Sequence, residues 1–256
     1  MKQLPNILTL ANLFCGALAL VFILQSPGFI ASYNGEDYMI TVPPPICQAV
    51  VLIGIAAVFD FFDGLAARLL KVQSPMGREL DSLADVVTFG VAPGMILYQL
   101  LRSAYMMQPG AMEVSLVNVA VALLLPCFAA YRLARFNLDE RQTQHFIGVP
   151  TPAVGLLVAS FPLILLYNSA GLAPWLQRVW VLYALIALLC FLMVCNLPFF
   201  SLKLKRLSWK ENRLRYLFLL LTLLAIPLLK WAAVPFAFAL YVALSLGKHF
   251  FSPGPE

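Results

Sequence analysis

Residues 46–85 read ICQAVVLIGIAAVFDFFDGLAARLLKVQSPMGRELDSLAD. The first part of this stretch is an apolar run long enough to begin a membrane crossing, and it ends in charge. Asp60 and Asp63 stand three residues apart, and Asp81 and Asp85 four apart. Both spacings put the pair on one face of a helix. A carboxylate at the centre of a bilayer costs about 2.5–3.5 kcal/mol on insertion scales. Four of them at the edges of two successive apolar segments therefore imply a site that compensates them, and a helix-pairing device is the plainer alternative.

The rest of the chain agrees with a membrane setting. Of its 256 residues, 62% are hydrophobic and 11% are charged, against about 25% charged in soluble domains. A helix needs about 20 apolar residues to cross the hydrocarbon core. Eight segments qualify, near 7–25, 46–70, 79–101, 114–135, 152–168, 177–197, 214–229 and 231–248. They are expected to be helices, because lipid offers backbone amides no partners. The last two meet at Lys230–Trp231 and could form one re-entrant hairpin, while 26–45, with Pro27, Gly28, Pro43, Pro44 and Pro45, reads as non-helical. The fold class expected is an all-α, polytopic transmembrane bundle without a soluble domain.

The net charge of +5 is not a nucleic-acid footprint. With the N-terminus inside, alternating segments put all but three of the 17 Lys and Arg on the inner side, the exceptions being Arg102, Arg178 and Lys230. That asymmetry is the positive-inside signature, and it predicts both termini in the cytoplasm. The basic loop 198–215 is first a topology signal, with a lipid-phosphate contact through Lys203 as the functional alternative. The five cysteines show no metal spacing and read as small hydrophobes; His145 and His249 are not expected to be ligands. The N-terminus has no small-residue cleavage site and reads as a retained first helix.

Two helices joined by the short segment 71–78 pack as antiparallel neighbours, so the two acidic faces can converge. Four close carboxylates oppose one another's ionisation, and divalent cations resolve the conflict. Oxygen-only ligands suit Mg²⁺, Mn²⁺ or Ca²⁺, and a two-metal site can clamp an in-line displacement at phosphorus. The neighbours fit phosphate. Gly64 clears the helix face, Arg68 suits an anionic diphosphate, and Ser74 and Gly77 lie where the amides of the third helix begin. Taken singly, these are helix packing, a positive-inside anchor and a helix cap.

Residues 60–85 resemble the signature of the CDP-alcohol phosphotransferases: Asp, two residues, Asp-Gly, two residues, Ala-Arg, a spacer, Gly, three residues, Asp, three residues, Asp. The matching positions are Asp60, Asp63, Gly64, Ala67, Arg68, Gly77, Asp81 and Asp85, with no fixed member missing. LPNILTLANLFCGALAL at 4–20, DSLADVVTFGVAP at 81–93, YRLARFN at 131–137 and FIGVPTPA at 146–153 are similar to the phosphatidylserine-synthase branch, with Thr88 where Ser is usual. The resemblance runs from about residue 4 to about 203 and implies a six-helix core, residues 1–200. Residues 201–256 would then be a basic loop and an added C-terminal hairpin, a scaffold or oligomer surface.

The resemblance also implies roles. Asp60, Asp63, Asp81 and Asp85 would hold a pair of Mg or Mn ions, and Asp85 would act as general base. Gly64, Arg68 and Gly77 would hold the cytidine diphosphate, with Asn6 and Thr9 touching the nucleotide. CDP-diacylglycerol and L-serine would be the substrates, CMP the leaving group, and a homodimer in a prokaryotic inner membrane the working form. Asn6, Thr9 and Asn12 share one face of the first helix, which interhelical hydrogen bonding would explain equally. Arg132 and Arg135 are either anchors or receptors for an acceptor carboxylate or a lipid phosphate. Another acceptor (glycerol phosphate, an inositol compound, choline), a cation-coupled transporter and a silent scaffold are the competing readings.

Overall fold

In the computed structural model the described residues are 3–26, 30–34, 37–72, 74–108, 114–138, 146–199 and 209–251. They form a helical bundle. The helices are α1 (Leu4–Gln25), α2 (Pro44–Leu69), α3 (Pro75–Asp85), α4 (Ala92–Met106), α5 (Leu116–Ala120), α6 (Leu124–Leu138), α7 (Thr151–Tyr167), the short α8 (Ala173–Leu176), α9 (Val179–Val194), α10 (Trp209–Leu229) and α11 (Ala233–Phe251). Leu4–Gln25, Pro44–Leu69, Pro75–Met106, Leu116–Leu138 and Asn212–Gly247 are each long and apolar enough to cross a membrane; Thr151–Tyr167 and Val179–Val194 are apolar but shorter. The chain is a multi-pass integral membrane protein, and all eight expected segments fall on helix.

The departures from expectation have local causes. Within 26–45 the backbone forms an antiparallel hairpin, β1 (Ile30–Asn34) with β2 (Asp37–Thr41), paired from Ile30↔Thr41 to Asn34↔Asp37. A second, two-residue pairing joins β3 (Phe146–Ile147) to β4 (Pro198–Phe199) and ties the chain before α7 to the chain after α9. In line with the two expected segments meeting at Lys230–Trp231, Asn212–Gly247 is a hairpin and not one long span. Lys230 has φ +52, and the rings of Phe218 and Tyr241 lie 6.1 Å apart, where a continuous helix would separate them by roughly 35 Å.

The third span is a single run from Pro75 to Met106 with a π-helical insert at Val86–Val91. Pro93 explains it. A proline lacks the N–H and its ring clashes with the carbonyl four residues back, so the helix before it loosens. The amide of Ala92 bonds to the Val87 carbonyl, five residues back. Pro126 acts similarly in the fourth span, where a 3-10 turn at Val121–Leu123 separates α5 from α6.

Small residues bring the helices close around this insert. A Cβ on Gly16 would meet Thr88 Cα at 2.9 Å, one on Gly155 would meet Phe89 Cβ at 2.8 Å, and one on Gly94 would meet Pro126 Cδ at 2.9 Å. Helices in lipid associate through such close packing, because lipid tails are as apolar as the side chains and leave no hydrophobic force to drive the helices together. α1 lies along α2 and crosses the insert, and α7 packs against α2, α4 and α11.

This packing predicts a contrast. Gly16→Ala should destabilise the protein by about 1–3 kcal/mol through overpacking. Gly54→Ala, in the same membrane setting but with no atom within 4 Å of the added carbon, should be neutral or slightly stabilising. Heating both variants in detergent and following loss of monodisperse protein measures the difference.

Candidate active site

The acidic residues sit where α2 ends and α3 begins. The connection is short and turns sharply, with Lys71 at φ +53. Ser74 starts α3 as its cap: its Oγ accepts from the Gly77 amide at 3.0 Å, and Pro75 fills the first turn. Capping of this kind satisfies an amide that the helix itself leaves unpaired. The two helices present their carboxylates to each other. One oxygen from each of Asp60, Asp63 and Asp81 lies within 4.8 Å of the others. Asp85 is one turn deeper and buried at 6% exposure. It is outside that three-oxygen group but within electrostatic reach of Asp60, Asp81 and Asp63.

Like charges at 4.8 Å repel by about 3 kcal/mol per pair at an effective dielectric of 20. The cluster therefore needs protons or a cation to offset it. Asp81 Oδ1 is buried and has no hydrogen-bond partner, which leaves a hard oxygen donor unsatisfied. An all-carboxylate set with such an orphan fits a divalent, oxygen-preferring cation.

α1 closes one side. Thr9 Oγ1 lies 2.6 Å from Asp63 Oδ2 and 3.0 Å from the Pro5 carbonyl. Asn12 Nδ2 donates to Asp85 Oδ1 at 3.4 Å, and Thr88 Oγ1 donates to the Asn12 carbonyl at 3.3 Å. Asn6 faces the start of α3: a Cβ on Gly77 would come within 3.2 Å of its Oδ1. At Gly64 the face is open, with nothing within 4 Å of an added carbon. Arg68 is exposed and anchors its Nε on the Gly64 carbonyl at 2.9 Å, which holds the guanidinium beside that opening.

The two arginines of α6 part company. Arg132 is 7% exposed. It donates from one terminal nitrogen to Thr151 Oγ1 at 2.9 Å, lies 5.9 Å from the Phe136 ring centroid, and interacts electrostatically with Asp85 and Tyr241. Arg135 instead donates to the Val194 carbonyl at 3.2 Å and to Asn196 Oδ1 at 2.6 Å, so it ties α6 to the end of α9 and is not brought to the carboxylates. Lys203 and His145 lie outside the described residues, as do residues 200–208 of the basic loop.

Sequence reasoning left some contacts unassigned. Asn12 was legible as part of a polar face, but its bond to Asp85 was not. Asn137 Nδ2 donates to Ser82 Oγ at 2.9 Å and braces α3 from α6. Tyr241, far away in sequence and set in an apolar helix, stacks on Phe199 and lies in the electrostatic field of Arg132, and no motif marked it.

Comparison with known proteins agrees with this geometry. The model of the family described as CDP-alcohol phosphatidyltransferase matches residues 2–192. The chain is 34% identical over 178 residues to a CDP-diacylglycerol–serine O-phosphatidyltransferase of Bacillus subtilis (strain 168), covering 68% of this chain and 85% of that protein. It is 37% identical over 142 residues to one of Mycobacterium leprae (strain TN), covering 52% of this chain and 44% of that longer protein. An archaetidylserine synthase of Methanothermobacter thermautotrophicus is 28% identical over 146 residues, covering 56% and 58%. The acidic pair on each of two neighbouring helices and the match over most of the chain agree: this chain belongs to the CDP-alcohol phosphatidyltransferase family.

Proposed function

We propose that this membrane enzyme transfers the phosphatidyl group of CDP-diacylglycerol to the hydroxyl of L-serine, releasing CMP. The observation that carries the reading is the convergence of the Asp60, Asp63 and Asp81 oxygens within 4.8 Å, with Asp85 buried one turn beyond them. The serine assignment is supported by the names of the relatives and by a buried guanidinium, Arg132, in electrostatic reach of Asp85.

Asp60, Asp63, Asp81 and Asp85 would hold the divalent cations, Mg or Mn and two in number. When bound, the cations supply charge neutralisation and polarise the diphosphate oxygens. The open face at Gly64 admits the diphosphate, and Arg68, with Ser74 and Gly77 at the start of α3, orients it. Asn6 and Thr9 line the nucleotide side, and Thr9 also holds Asp63. Asp85 accepts the serine hydroxyl proton as that oxygen bonds to the lipid-linked β-phosphorus. The bond from that phosphorus to the bridging oxygen breaks, and the oxygen leaves with CMP. Arg132 lies where an acceptor carboxylate or a lipid phosphate would pair with it, and Arg135 supports that end of the bundle through α9.

Residues 1–200 form the transferase domain and 201–256 the loop and hairpin extension in this reading. Both termini and the carboxylates face the cytoplasm of a prokaryotic cell, in its inner membrane, and the working form is a homodimer. The excess of Lys and Arg at the carboxylate end of the helices supports the orientation.

Three measurements test this reading. Purified protein in detergent should release CMP from CDP-diacylglycerol with L-serine; full turnover with glycerol 3-phosphate and none with serine would reassign the acceptor. Asp85→Asn should lower kcat about 10²–10⁴-fold, the range of a general base, while CDP-lipid binding persists in a direct binding assay. Chelation should abolish CMP release, and Mg or Mn should restore it; full activity in chelator would remove the metal role from the four aspartates.

A further inference from the structure

Two buried polar atoms on the helices packed around Asp85 and the insert after it have no hydrogen-bond partner. Asn12 Oδ1 is an acceptor, on a residue with 0% exposure. Arg132 Nε is a donor, on a residue 7% exposed. They come from different helices, α1 and α6, and both helices pack on the insert that begins directly after Asp85. Asn12 uses its amide nitrogen on Asp85, and Arg132 interacts with Asp85 electrostatically. Nearby groups do not satisfy either atom: Thr88 donates to the Asn12 backbone carbonyl, not to its side chain, and Thr151 takes a terminal nitrogen of Arg132.

An unsatisfied buried donor or acceptor costs about 1–3 kcal/mol, so orphans of opposite sense on two helices packed against the insert that follows a proposed base describe the ligand that would satisfy them. That ligand offers a hydrogen-bond donor to Asn12, an acceptor to Arg132 and a hydroxyl to Asp85, and charge on the first two makes the strongest bonds. Glycerol phosphate has the anion and no cationic donor. Choline has a cation with no N–H, and inositol has neither charge. A hydroxy amino acid zwitterion has both.

Resting on the serine reading above, we infer that Asn12 and Arg132 are the specificity-determining pair of the acceptor pocket. Asn12 Oδ1 accepts from the ammonium of the hydroxy amino acid, and Arg132 Nε donates to its carboxylate. The pair fixes the orientation that brings the hydroxyl to Asp85. The energetic logic is that of a site whose buried polar groups are left unpaired by the wrong substrate.

The test measures KM for L-serine and inhibition constants for two fragments, ethanolamine (no carboxylate) and 3-hydroxypropionate (no ammonium), in CMP-release assays at fixed metal. Asn12→Ala should raise the serine KM and the ethanolamine constant about tenfold or more and leave 3-hydroxypropionate unchanged. Arg132→Gln should raise the serine KM and the 3-hydroxypropionate constant by a similar factor and leave ethanolamine unchanged. If Asn12→Ala does not yield folded protein, Asn12→Ser, whose hydroxyl can still accept, should give the same pattern at smaller amplitude. Equal changes in all three constants would make these residues mere supports of Asp85, and a changed metal requirement in Asn12→Ala would make Asn12 a cation ligand; either overturns the inference. Wild-type protein that turns over glycerol 3-phosphate and not serine would instead sink the function on which the inference rests.

Discussion

Bringing carboxylates from two consecutive membrane helices within 4.8 Å is the constraint from which the rest of the structure follows. Each charge opposes insertion, and each opposes its neighbours. The bundle keeps them together through backbone geometry. A short turn with Lys71 at φ +53 reverses the chain, the Ser74 cap fixes where α3 begins, and the helical spacing of each pair aims both at the same space. α1 then supplies the hydrogen bonds. Thr9 and Asn12 reach Asp63 and Asp85 from one face, three residues apart.

Holding those bonds at length requires α1 to approach the third span closely, and small residues allow it. At the crossing, Gly16 leaves room for Thr88, whose hydroxyl bonds back to the Asn12 carbonyl. The π-helical insert at Val86–Val91 begins directly after Asp85. Such inserts are frequent at functional sites. Here its origin is Pro93, and it sets the register at which Thr88 meets α1 and Phe89 meets Gly155. The same irregularity that accommodates a proline thus joins the acid-bearing α3 to the packed α4 without moving Asp85 away from Asn12.

The C-terminal hairpin lies beyond the family-matched residues 2–192, yet it is not detached from the core. α11 packs on α7 and on β4, with Tyr241 stacked on Phe199 at 5.7 Å between centroids. Tyr241 also lies in the electrostatic field of Arg132, so the extension packs onto the core and is more than lipid-facing bulk.

The sequence by itself determined the membrane class, the eight helical segments and the acidic pairs, because hydropathy and the spacing of like residues along a helix are local properties. It also marked Thr9 and Asn12 as one polar face, though not what that face would touch. Only the tertiary structure decided that Asn12 meets Asp85, that Arg132 and Arg135 serve different neighbours, and that Tyr241 joins them from the far end of the chain. Those are long-range contacts, set by which helices pack and by where glycine and proline let them come close, and no single-helix periodicity encodes them. The π insert falls between the two cases: Pro93 was visible in the sequence, but how the helix would absorb it depended on the α1, α6 and α7 surfaces packed around it.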